Sequence, residues 1–152
     1  MKNKGFTLVE LLAVVAIMGV LVITIAPNVI ESFKNTKKQN FISETREVCK
    51  TATNTYIRES VMSYKSKAYC NIAANSTDTL ALQGRKEFKY CVKVNTDGEV
   101  VGILTYDGTH AILIKNDNGI DSNTITDNDF YSVDAKNMTQ NEAYSLIGYQ
   151  TR

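Results

Sequence analysis

No charged residue occurs between Leu11 and Ala26, and the wider segment Phe6–Ile30 is apolar almost throughout. As an α-helix rising ~1.5 Å per residue, it is long enough to cross the ~30 Å hydrocarbon core of a bilayer. A chain of 152 residues has room for one domain with a modest core, and everything after Pro27 reads as polar globular sequence. The segment is therefore assigned to a bilayer or to an equally apolar assembly. A secretory signal peptide would close on small residues in an A-x-A-like order; "ITIAPNVIES" offers no such site, so the segment is expected to be retained. Lys2 and Lys4 precede the span and Lys34, Lys37 and Lys38 follow it, so basic residues alone do not fix its orientation.

One carboxylate, Glu10, sits near the start of this span. A charge at the bilayer centre costs ~2.5–3.5 kcal/mol on insertion scales. Near one end the cost is smaller, but the group still needs a partner, a proton or a path to the headgroups. The local order is a basic leader, Gly5, Phe6, Thr7, Leu8, Val9 and Glu10, then the unbroken apolar run. This KGFTLVE pattern resembles the prepilin signature of type IV pilins and type II secretion pseudopilins. The resemblance implies cleavage between Gly5 and Phe6 by a membrane prepilin peptidase and methylation of the new amine on Phe6. It also implies that Glu10 attracts the free amine of a neighbouring subunit during assembly. An amine and a carboxylate attract strongly where little water screens them. On this reading Glu10 is unsatisfied in the lone chain and satisfied in a filament. Gly19 and Pro27 fall where the family commonly has a glycine and a proline. Gly19 lowers helix propensity and permits close helix packing. Pro27 is expected to kink or locally melt the helix.

Beyond Pro27 the pattern becomes amphipathic. Ile30, Phe33, Phe41, Val48, Ala52 and Tyr56 recur mostly at three- to four-residue steps, with Lys37 and Thr45 in the gaps. Glu31, Lys34, Lys38, Glu44, Glu47, Lys50 and Arg58 occupy the opposite face. This predicts a helix continuing to about Tyr64 with one apolar stripe that needs a cover. "EFKYCVKV" alternates and puts Phe88, Tyr90, Val92 and Val94 on one side; "NTDG" is a turn, and "EVVGILTY", "DGT" and "HAILIK" follow. The expected cover is thus a three-stranded antiparallel meander, with residues 66–86 as a connecting loop. Asn116–Phe130 carries turn chemistry, and Thr139 with Glu142 marks a capped short helix. The fold class is α+β: a long N-terminal helix on a small antiparallel sheet, the layout of the pilin fold. Residues 1–5 form the leader, 6–30 the membrane or filament-core half of the helix, and 31–152 the extracytoplasmic head.

The remaining chemistry is sparse. Cys49 is placed near the apolar side of the helix as a small hydrophobe. A Cys70–Cys91 disulfide is one reading for an oxidising compartment. A zinc site of Cys49, Cys70, Cys91 and His110 is the other, although no CxxC spacing accompanies it. Many pilins staple a C-terminal loop with a disulfide, but no cysteine follows Cys91 here, so the C-terminal region is expected to be held by packing or by another device. Asp117, Asp121, Asp127 and Asp129 invite comparison with the calcium loops of some pseudopilins, yet the EF-hand order fails and a solvated loop is expected. The formal charge is +1, and "RKEFKYCVK" makes no basic stripe, so no nucleic-acid site is expected. His110 has no recognisable nucleophile or base beside it in sequence, so no enzyme, metal or cofactor is expected. The expected function is a structural subunit, major or minor, of a type IV pilus. Its precursor would sit in the cytoplasmic membrane and the mature subunit in an extracellular filament. Its partners would be other copies of itself, related pilins, the prepilin peptidase and the assembly platform. The alternatives are a pseudopilin of a secretion or DNA-uptake system and a single-pass anchored binding module that never polymerises.

Overall fold

The computed structural model describes residues 7–60, 65–73, 76–82, 88–132 and 135–150. Its elements are α1 (Leu8–Glu59), β1 (Lys67–Cys70), β2 (Lys89–Val94), β3 (Val100–Tyr106), β4 (Ala111–Lys115) and α2 (Gln140–Leu146), with short 3-10 turns between β4 and α2. The chain divides into two units, Met1–Lys37 and Lys38–Arg152. In the first, every described residue is exposed.

In the second unit, α1 buries Phe41, Ile42, Thr45, Val48, Cys49, Ala52 and Tyr56, a set at helical spacing. They pack against Tyr69, Phe88, Tyr90, Val92, Val94, Ile103 and Ile112 in one core. Phe88, Tyr90, Val92 and Val94 all belong to this face, as the alternation predicts. The stripe begins at Phe41 and not at Ile30: Ile30 and Phe33 are 56% and 63% exposed and lie in the first unit. Two buried hydroxyls tie helix to sheet. Thr45 Oγ1 donates to the Phe41 carbonyl at 3.0 Å, and Thr105 Oγ1 lies 2.9 Å away. Since the one Thr45 proton is committed to Phe41, Thr105 donates to Thr45. Arg46 Nη2 donates to the Ile125 carbonyl at 2.6 Å, holding the loop after β4 against the helix.

α1 is described as far as Glu59; the remainder of the expected helix, residues 61–64 up to Tyr64, lies outside the described residues. At Ser60, a residue type that competes for local side-chain bonds, Oγ donates to the Ile57 carbonyl. Glu59 is engaged elsewhere: its Oε2 accepts from Lys67 Nζ at 2.8 Å and from Tyr69 Oη at 2.9 Å. Lys67 also pairs with Asp78 at 3.0 Å. This network ties the end of α1 to β1.

The sheet is antiparallel in the order β1-β2-β3-β4. It has four strands, not three. β1 lies inside the stretch expected to be a connecting loop, and three of its four residues are buried, so no polar alternation announces it. The "NTDG" turn forms as expected, with Asn95 Oδ1 accepting from the N–H groups of Asp97 and Glu99 and Gly98 at φ 86°.

The sheet is covered on its second face as well. Ala68, Cys70, Cys91 and Leu104 form a second core with Ala143, Tyr144 and Ile147 of the α2 region. α2 starts on the predicted capping box, in which Thr139 and Glu142 satisfy each other's backbone N–H. It sits so close that a Cβ at Gly102 would meet the Ile147 carbonyl oxygen at 2.5 Å. Lys89 Nζ donates to the Lys136 carbonyl at 3.2 Å, and Lys93 Nζ to the Gly148 carbonyl at 2.8 Å. Two cations of the strand thus hold the chain on either side of α2, using charge-assisted bonds.

Thr45→Val is expected to destabilise the fold by ~1–3 kcal/mol, because it leaves the Thr105 hydroxyl buried without an acceptor. Thr105→Val should cost less, and the double variant less than Thr45→Val alone. Urea unfolding of the full chain in detergent measures the three.

Candidate functional site

The first unit carries the chemistry that the sequence singles out. Gly5 and Phe6 lie outside the described residues. Thr7 stands immediately before α1 and Glu10 in its first turn. Thr7 N and Thr7 Oγ1 donate to Glu10 Oε2 at 2.8 and 2.9 Å, while Glu10 N approaches Thr7 Oγ1 at 3.3 Å. This is a reciprocal capping box, built by the T-x-x-E spacing of residues 7–10. It corrects the expectation that Glu10 has no partner in the lone chain. The T-x-x-E spacing that builds it is local and legible in the sequence. Both side-chain bonds go to one oxygen, Oε2, and none to Oε1 among the described residues.

Downstream, Gly19 has nothing within 4 Å of where a Cβ would stand. α1 runs through Pro27 without a break, so the expected local melting does not occur. Pro27 still withholds an N–H from the carbonyl of Ile23. Thr24 Oγ1 bonds back to the Leu21 carbonyl at 2.9 Å, leaving its hydroxyl satisfied within the helix. The face around Gly19 is apolar and open: Leu8, Leu12, Val15, Val22 and Ile23 are exposed, without a cover among the described residues. Such a surface buries itself only in lipid or against other helices.

The head offers no competing reactive centre among the described residues. Cys70 and Cys91 are cross-strand partners joined by a disulfide, S–S 2.08 Å. Cys49 is a buried free thiol in the core on the other face of the sheet, its pKa pushed up to about 12 by burial. The four candidate zinc ligands are therefore not assembled: two are consumed and the third lies across the sheet. His110, just before β4, forms a three-ring cluster with Phe41 and Phe130: its centroid lies 5.9 and 5.3 Å from theirs, and the two phenyl rings lie 5.8 Å from each other. Its Nδ1 lies 3.2 Å from Asp107 Oδ2. Asp121 and Asp129 accept from the N–H groups of Asn123 and Thr126, which accounts for them as caps of the 3-10 turns.

Residues 1–26 match the family model of the prokaryotic N-terminal methylation motif. The chain carries the type IV prepilin signature. No curated protein and no solved structure matches the chain. The prepilin signature and the exposed apolar helix together support a pilin-like or pseudopilin structural protein. Such a signature implies processing by a prepilin peptidase and assembly with other pilins, and it fits a membrane-anchored precursor. The long helix packed on an antiparallel sheet is the matching α+β layout.

Burial raises the Asp107 carboxyl, but the N–H groups of His110 and Thr109 and the His110 ring outweigh it, and the net pKa lies below the usual aspartate value. A carboxylate depressed on folding stabilises the fold above its unfolded pKa, and that contribution fades as pH falls through the folded one. Asp107→Asn keeps an acceptor for the two N–H groups, so acid-induced loss of thermal stability below about pH 4 should be shallower in the variant. Thermal melts of the full chain across the acid range test this.

Proposed function

We propose that this chain is a structural subunit, a major or minor pilin, of a type IV pilus. The observation that supports this reading most directly is the carboxylate of Glu10. It sits inside the methylation motif, at the start of the helical segment Leu8–Ile30, which is both apolar and exposed on every side. Cleavage between Gly5 and Phe6 would free an amine on Phe6 for methylation. The capping box occupies Oε2 of Glu10 and makes the acid tolerable in a lone precursor. Oε1 remains to receive the amine of an incoming copy, in surroundings where poor screening strengthens the pair. The apolar helices then cover one another, and Gly19 presents no side chain to hold a neighbouring helix away. The same N-terminus would serve a pseudopilin of a secretion or DNA-uptake system.

Gly5→Leu should leave the leader in place, which the intact mass of the membrane-extracted protein reads directly. Glu10→Gln retains an acceptor for Thr7 but no charge. It should be processed normally and enter filaments at least about tenfold less well than the native chain, a deficit of ~1.4 kcal/mol. Normal incorporation of Glu10→Gln would refute the ion pair, and an uncleaved native monomer would favour a simple membrane anchor.

A further inference from the structure

Cys70 and Cys91 are each 0% exposed, and α2 helps to bury them. The two cysteines are placed opposite one another by the β1–β2 register alone, with Tyr69 facing Val92 and Lys67 facing Val94 on the same ladder. The residues that share their core but come from outside the sheet are Ile72 and, from the C-terminal segment, Ala143, Tyr144 and Ile147, with Met138, Leu146 and Tyr149 against them. That segment is shut tightly: the Ile147 carbonyl rests on the bare backbone of Gly102, and Lys89 and Lys93 grip the chain on both sides of α2. A seven-residue helix such as α2 is too short to persist undocked. Thiol–disulfide exchange needs an attacking sulfur to reach a target sulfur through open space. With both cysteines fully buried, the closed head leaves no such approach among the described residues.

We infer that the Cys70–Cys91 bond is made while residues 135–150 are undocked, by an external disulfide-bearing oxidant, and that docking of this segment then seals the bond from reductants. In the first step one cysteine thiolate attacks the oxidant's disulfide, forming a mixed disulfide and releasing one oxidant thiolate. The second cysteine thiolate then attacks the mixed disulfide at the protein sulfur, closing Cys70–Cys91 and releasing the other oxidant thiolate. The cysteines lose two electrons and two protons, and the oxidant's disulfide is reduced to two thiols. The inference concerns the head alone and does not depend on filament assembly.

The test uses the full chain in detergent, in a Cys49→Ala background so that two thiols report. Under native conditions with dithiothreitol, thiol release is followed by the mass shift from a maleimide. Ile147→Ser removes a buried anchor of the segment and leaves the strands intact. The bond in this variant should be reduced at least about tenfold faster than in the parent, as expected for local opening. Lys93→Met, a milder change, should fall between them. In the reverse direction, reduced parent protein diluted from denaturant into oxidised glutathione should form the bond promptly. Reduced parent allowed to fold first should form it at least about tenfold more slowly, whereas Ile147→Ser should show no such lag. Equal reduction rates in parent and Ile147→Ser, with matching circular dichroism, would overturn the inference. So would equally fast oxidation of folded and unfolded reduced parent. Should Ile147→Ser fail to fold, the comparison of parent with Lys93→Met decides: equal rates of reduction reject the seal.

Discussion

A helix that is apolar on every face cannot be satisfied by its own chain, and much of this protein follows from that. From Leu8 to Ile30 no residue is covered, whereas from Phe41 onward one face of the same helix is buried against a sheet. Two surroundings are therefore written into one element. The first segment needs lipid or other helices around it. The second needs water on one side and a core on the other. In the precursor and the assembled filament proposed here, the first requirement is met in turn by bilayer and by neighbouring subunits.

The carboxylate in the apolar segment is eased by the smallest available device, a hydroxyl and an N–H three residues away. A capping box offsets part of the desolvation of Glu10 and also orders the first turn of the helix. A local cap and an intersubunit pair are not rivals, since the cap uses one carboxylate oxygen. The acid can be tolerable alone and still gain from a second partner.

The head achieves its stability differently. Its sheet is buried on both faces, so each strand contributes to two cores and few of its residues meet water. Gly102 has no Cβ because backbone occupies that space, and Lys89 and Lys93 are spent on carbonyls that flank α2. No cysteine is needed after Cys91 to hold the C-terminal segment. The one disulfide lies beneath that segment, between adjacent strands.

What the sequence determined by itself was governed by neighbours along the chain. The apolar run, the alternation of β2, the turn at Gly98 and the box of Thr139 with Glu142 all depend on spacings of a few residues, and each appears where those spacings put it. The box of Thr7 with Glu10 was equally local and equally legible. Tertiary structure decided the rest. Burial of both faces erased the alternation that would have revealed β1. The network of Glu59, Lys67 and Tyr69 ties the last turn of α1 to β1. Sheet register made partners of Cys70 and Cys91 and left Cys49 on the opposite face. Lys89 and Lys93 look like solvent charges in one dimension and act as clamps in three. Such outcomes depend on which distant atoms share a face of the sheet, and period and propensity carry no record of that.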